Sequence, residues 1–162
     1  MTAVSGPLQA LTIVTALGCG LNAGVFFAFS SFVMQALARL EPPQPVAVMQ
    51  SINARAVTPV FMLALFGTGL LCIALAGWAL TDPSAASAPY LLAGCALYVL
   101  GGPLMTMGFH VPRNTALDRV EPAGPCAERA WNDFFASWLP GNHVRTISAF
   151  AAAAALTVAL VV

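Results

Sequence analysis

The sequence predicts an all-α fold, a polytopic membrane four-helix bundle with short cytoplasmic interfacial helices, and three observations carry that expectation. Every Arg, and every acid except Asp82, falls within Arg39–Arg55 or Arg113–Arg145. The remaining segments Leu8–Ala38, Val57–Leu80, Ala88–Phe109 and Thr146–Val162 carry no charge, and an apolar run of about 18 or more uncharged residues reads as a membrane span. Hydrophobic residues make up 59% of the chain and charged ones 7%, against roughly 25% charged in soluble domains.

One domain is expected, residues 1–162, with spans at about 8–38, 57–80, 88–109 and 144–162 and too little chain left over for a separate soluble unit. Its net charge is zero and it has no basic tract, which excludes nucleic acid as an expected partner and leaves the lipid bilayer. An even number of spans puts both termini on one side with the Asp82 turn. The loops at 39–56 and 110–143 then share the other side with the Arg residues, and the positive-inside rule makes that side cytoplasmic and both termini external. A bacterial inner membrane fits this topology. The N-terminal run is read as a true span, because no Lys or Arg precedes it and it exceeds the roughly 7–15 residues of a signal-peptide core.

Span one, Leu8–Ala38, would extend about 46 Å as a helix, beyond a hydrocarbon core of about 30 Å. It is therefore expected to project into the cytoplasm before Glu41-Pro42-Pro43 stops it. Ala16, Gly20, Gly24 and Ala28 recur every four residues, a stripe that lets another helix approach. Span two repeats the device with Ala64, Thr68, Cys72 and Ala76. Packing within the bundle is the expectation for both stripes, and a homo-oligomer is the other use such stripes serve.

Between these spans, Pro45–Thr58 reads as a short helix at the membrane surface, with Val46, Met49 and Ile52 on one face and Gln50, Asn53 and Arg55 interleaved. In span three, Gly101-Gly102-Pro103 predicts a kink, since proline removes one helical hydrogen bond and clashes with the preceding turn. After it, Arg113–Val120 and Ala127–Leu139 read as two further helices divided by Glu121-Pro122-Ala123-Gly124-Pro125. The second presents Trp131, Phe134, Phe135 and Trp138, either as interfacial anchors or as a lid over a cytoplasm-facing pocket.

Polar residues gather at the cytoplasmic ends: Asn53, Arg55, His110, Arg113, Asn114, Asn142, His143 and Arg145. Asn22 alone lies near mid-membrane, where an amide either pins another helix or lines a cavity. The densest group is Asn142-His143-Val144-Arg145-Thr146. On a helix Asn142 shares a face with Arg145 and with Thr146, while His143 turns away by about 100°. One face can hold an anion; equally, a boundary Arg and His satisfy snorkelling and the positive-inside rule alone. No metal site is expected. The four cysteines form no Cys-x-x-Cys pair and read as small apolar fillers, and a haem or copper site on His110 and His143 would lack the close His or Cys companions of a metal motif.

At these residues the chain resembles the anthrone oxygenase-like family of small four-helix integral membrane proteins. The resemblance rests on Gly24-Val25-Phe26-Phe27-Ala28-Phe29-Ser30, Met49-Gln50-Ser51-Ile52-Asn53, Val111-Pro112-Arg113-Asn114, and Trp131 with Asn142-His143-Val144-Arg145-Thr146. Two positions depart from the family's pattern: His110 stands where Asn is expected, and Gly141 where an aromatic residue is expected. The resemblance implies oxidation of an anthrone to an anthraquinone by molecular oxygen without flavin, haem or metal. The partners it implies are a small hydrophobic aromatic substrate and O2. A base and a charge stabiliser are then required. The expected catalytic set is His143 as base with Arg145 and Asn142 at the oxyanion. The expected substrate contacts are Phe26, Phe29, Trp131 and Trp138 for stacking, with Asn22, Asn53 and Asn114 as polar contacts. The alternative from another class is a non-catalytic membrane protein, an accessory subunit or a hydrophobic-ligand binder, which needs only the small-residue stripes and surface aromatics.

Overall fold

Two helices in this chain, Ala88–Asp118 and Ala127–Ala159, take in charged stretches next to the uncharged segments, because the polar residues beyond those apolar runs continue the helical pattern. The computed structural model describes residues 6–41 and 43–162, and among these the chain forms α1 (Pro7–Leu37), α2 (Gln44–Ala56), α3 (Pro59–Ala79), α4 (Ala88–Asp118) and α5 (Ala127–Ala159). The fold is all-α. Helices α1, α3 and α4 are each long and apolar enough to cross a membrane, and α5 packs along α1 and α4. Pro42 of the predicted stop after span one lies outside the described residues.

Two sequence expectations are corrected by continuity. The separate helix expected at 113–120 is the end of α4, and the one expected at 127–139 is the first half of the 33-residue α5, which continues unbroken through Pro140. Prolines fail to break these helices for identifiable reasons. Pro103 lies within a π-turn, Leu100–Leu104, and Pro112 comes just after another, Thr106–His110. A π-turn already disrupts the i→i−4 ladder, so the missing proline donor falls where a bond is absent in any case. Pro140 and Ala136, whose carbonyl loses its partner, are both exposed.

Further π-turns occupy Phe29–Val33 in α1 and Leu63–Gly67 in α3. Carbonyls disturbed by the α3 turn are taken by side chains of neighbouring helices: Asn22 Nδ2 donates to Ala64 O at 2.9 Å, and the Tyr98 hydroxyl donates to Leu65 O at 3.1 Å. Asn22 also donates to Gly18 O at 2.9 Å. It thus pins α1 to α3, one of the two roles expected for a mid-membrane amide.

Two apolar cores result. One runs through the spans and contains Cys19, Phe26, Leu65, Cys72, Leu75, Leu91, Cys95, Tyr98 and Leu156. The other sits at the charged end, where α2, the end of α4 and the start of α5 gather around Met34, Met49, Leu117, Trp131, Phe134 and Trp138. Small residues set the helix crossings, but not the two glycines of the first stripe. Gly20 and Gly24 are exposed, and a Cβ on either would touch nothing within 4 Å. The packing face of α1 is instead Thr12, Thr15, Cys19, Asn22, Ala23 and Phe26. The second stripe does pack inward at Thr68 and Cys72, with Thr68 against Gly18, where a Cβ would collide. Gly101 abuts Ser148 in the same way.

A break in helical geometry separates α2 from α3. Thr58 is extended, at φ −100° and ψ 149°, and its hydroxyl caps Phe61 N at 3.3 Å, with Pro59 in the first helical turn. This places Val57 between two helices rather than inside one.

Candidate functional site

Where the two cores meet, the helices leave a cavity of about 150 Å³. Its α1 wall is Val25, Phe26 and Phe29; α2 gives Met49, Ile52 and Asn53; α3 gives Phe61 and Met62; α4 gives Thr106, His110 and Asn114; α5 gives Trp138 and Arg145. The lining is apolar and aromatic with a few convergent polar groups, the usual constitution of a small-molecule site.

Arg145 occupies the α5 wall at 7% exposure. Its Nη2 donates to Asn142 Oδ1 at 2.6 Å and its Nη1 to Thr106 Oγ1 at 3.1 Å, while Nε is buried with no partner. The guanidinium lies 4.4 Å from the centroid of the Phe26 ring and 5.2 Å from that of Trp138, within cation–π range. No carboxylate meets it: among the described residues the ion pair is Arg129–Asp133, at 3.9 Å on the surface. A buried cation held by neutral acceptors and ring faces is electrostatically prepared for an anion.

Asn142 anchors this arrangement from outside the cavity lining. Its Nδ2 donates to Phe26 O at 2.7 Å and to Ser30 Oγ at 2.8 Å, which fixes Oδ1 as the acceptor for Arg145. Ser30 belongs to the α1 π-turn and is also bonded to Thr146 Oγ1 at 3.0 Å. Asn142, Arg145 and Thr146 therefore share one face of α5, as their spacing predicts.

His143 does not join them. It is exposed, on the side of α5 turned away from Arg145, because at about 100° per residue the two-residue step to Arg145 puts them on nearly opposite sides of the helix. The histidine that reaches the cavity is His110, at 1% exposure, with neither Nδ1 nor Nε2 hydrogen-bonded. Two rings hold its imidazole edge-on, Trp138 at 4.9 Å and 77° and Phe109 at 5.2 Å and 70°. Gly141 makes room for the pair. A Cβ there would lie 3.2 Å from His110 Cε1 and would collide with the Phe109 ring. Positions 110 and 141, the two expected to depart from the family's pattern, are thus neighbours in space.

Of the other expected contacts, Phe26, Phe29, Asn53, Asn114 and Trp138 line the cavity. Asn114 Oδ1 accepts from Trp138 Nε1 at 2.9 Å, and Asn53 Nδ2 donates to Asp118 Oδ1 at 2.9 Å. Asn22 and Trp131 do not line it; Trp131 is buried in the charged-end core, stacked on Phe134 at 5.9 Å. Among the described residues no three His, Cys, Asp or Glu side chains converge as a metal-ligand group. His110 and Thr106 are the polar lining residues that the expected site set left out. Their four-residue spacing within an apolar span was the available signal, since i and i+4 share a helix face.

Fold and site together define a class: a small helical membrane protein with an apolar cavity that carries one buried imidazole and one buried guanidinium. A family model described as Anthrone oxygenase matches residues 58–155, and the chain belongs to that family. The matched stretch includes Thr106, His110, Asn114, Trp138, Asn142 and Arg145, whereas the Phe26–Phe29 wall precedes it. No curated protein and no solved structure matches the chain.

Proposed function

We propose that the protein catalyses oxidation by O2 of a flat aromatic substrate bearing an acidic ring methylene, of the anthrone type, in the cavity between Phe26, Phe29, Trp138 and His110. The observation that carries this reading is the pairing, in one apolar cavity, of an unengaged imidazole with a guanidinium that has no carboxylate. Family membership supports an aromatic substrate and O2.

His110 is the base in this reading. A neutral imidazole has one acceptor nitrogen and one N–H, and it removes a methylene proton to give an aromatic enolate. Arg145, backed by Asn142 and Thr106, stabilises the enolate oxygen as charge develops there. The electron-rich anion transfers electrons to O2, and a carbon–oxygen bond forms at the former methylene carbon to give a peroxide anion. The proton held by His110 passes to that peroxide. Loss of the second proton from the same carbon, with cleavage of the O–O bond, then forms the new carbonyl and releases water. The balance is one anthrone and one O2 to one anthraquinone and one water, so the substrate itself supplies all the electrons. His110 takes this role rather than His143 because only His110 faces the cavity.

The four-span arrangement, with α5 as the fourth span and the charged end in the cytoplasm, belongs to the same proposal; the Arg distribution supports it. Oxygen uptake by protein purified in detergent, with anthrone as substrate and correction for spontaneous oxidation, tests the activity. Acceleration that disappears in His110→Gln and in Arg145→Met supports the reading. Wild-type protein that binds anthrone without accelerating oxygen consumption would move the assignment to a hydrophobic-ligand binder.

A further inference from the structure

The cavity is closed on one side by hydrogen bonds and on another by apolar side chains alone. Toward the charged end, α2 is laced to the end of α4: Gln50 Nε2 donates to Leu117 O at 3.0 Å and to Val120 O at 2.8 Å, and Asn53 bonds Asp118. Between α3 and α4 the pattern is different. In the far half of the bundle the two helices touch, through the Tyr98–Leu65 hydrogen bond and at Gly69, where a Cβ would lie 3.2 Å from Pro103 Cγ. Nearer the cavity they diverge. Val57, Phe61 and Met62 on one side face Thr106, His110 and Val111 on the other across the cavity, and among the described residues no hydrogen bond joins these two groups. Val57 is 73% exposed and Val111 47%. Around them Val60, Leu63, Leu104 and Met107 are also exposed on span-length apolar helices, surfaces that a bilayer would cover.

From this asymmetry we infer that the substrate is an uncharged, lipid-partitioning planar aromatic that enters sideways from the bilayer, between the start of α3 and the end of α4, through a portal rimmed by Val57 and Val111. The inference rests on the aromatic-substrate reading of the cavity. It deepens that reading by naming the phase from which the substrate comes. Parting apolar side chains against lipid breaks no polar contact, whereas loading past α2 breaks the Gln50 and Asn53 bonds. A charged ligand would leave its hydration at the valine rim without compensation. The neutral substrate becomes an anion only beside Arg145, so the portal admits the protonated form and the site creates the charged one.

Loading can be followed without turnover by stopped-flow quenching of Trp138 fluorescence with anthraquinone, using the full chain in phosphatidylcholine vesicles and Trp138→Phe as the signal control. Val57→Phe with Val111→Phe should slow loading and release together, each at least tenfold, a signature that a lower quenching amplitude from the altered lining would not give. Val57→Phe alone serves if the double variant loses the amplitude altogether. Gln50→Ala should load at the wild-type rate. Rates that ignore the rim variants and rise in Gln50→Ala would overturn the portal and leave the aromatic site standing. Absence of any Trp138 quenching in wild type overturns both. Rim-dependent quenching without oxygen uptake upholds the portal and removes only the oxidation.

Discussion

Asn142 and Arg145 are joined by a 2.6 Å hydrogen bond one turn apart on α5, and the amide that receives it is itself fixed by donation to Phe26 O and Ser30 Oγ. The guanidinium is therefore held by a neutral acceptor whose orientation α1 dictates. Replacing that acceptor with an anion changes the charge and little of the shape. In Asn142→Asp the carboxylate is expected to neutralise Arg145 as an oxyanion stabiliser and to lose the donated bonds to α1. Oxygen uptake with anthrone should drop by about 10²–10³-fold, the size of losing one oxyanion donor. Activity within threefold of wild type would show that Arg145 does not carry the charge of the reaction.

His110 and His143 offer a clean contrast, one buried in the cavity and the other exposed. His110→Gln keeps a polar group of similar size and should lower kcat for anthrone oxidation by about 10²–10⁴-fold, the typical contribution of a positioned general base. His143→Ala should stay within about twofold, in line with the small effects of surface substitutions. The reverse ranking would return the base to His143.

Gly141 is where the close approach of α4 and α5 depends on a missing side chain. In Gly141→Ala the new Cβ meets the Phe109 ring and His110 Cε1, so a loss of about 1–3 kcal/mol from overpacking is expected. Adding Phe109→Leu should recover part of the stability, though it also removes the ring beneath the Arg113 guanidinium, which lies 3.4 Å from the centroid. Thermal unfolding in one detergent reads both effects. An unchanged midpoint in Gly141→Ala would mean that the helices part at no cost.

Tyr98 is fully buried, and its hydroxyl donates to the Leu65 carbonyl of the α3 π-turn. Tyr98→Phe removes that donor and leaves a buried carbonyl less well served, at a cost of about 1–3 kcal/mol. Because Tyr98 does not line the cavity, kcat should stay within about twofold while the unfolding midpoint falls. A large kcat loss at unchanged stability would connect the π-turn to the site in a way that its contacts do not suggest.

By itself the sequence determined the helical character, the three long apolar helices and the shared face of Asn142, Arg145 and Thr146. These are local properties: hydropathy over one helix length and side-chain spacing along one helix depend on no neighbour. Phe26, Phe29, Asn53, Asn114 and Trp138 were named as substrate contacts together with the family resemblance, but that reading also named Asn22 and Trp131, which do not line the cavity, because residue type and spacing do not separate a lining aromatic or amide from one that anchors or pins. Which histidine faces inward was decided by tertiary structure, since it depends on the phase at which α4 meets α5, and that phase is set by the π-turn at Thr106–His110 and by the absent Cβ of Gly141. The same holds for Asn22, whose choice between pinning and lining turns on a carbonyl of α3. It holds also for Pro112 and Pro140, where the sequence reading set helix boundaries that α4 and α5 run through. Whether a proline ends a helix depends on whether the carbonyl it orphans finds a π-turn, water or another donor, and that is a property of the surroundings rather than of the local sequence.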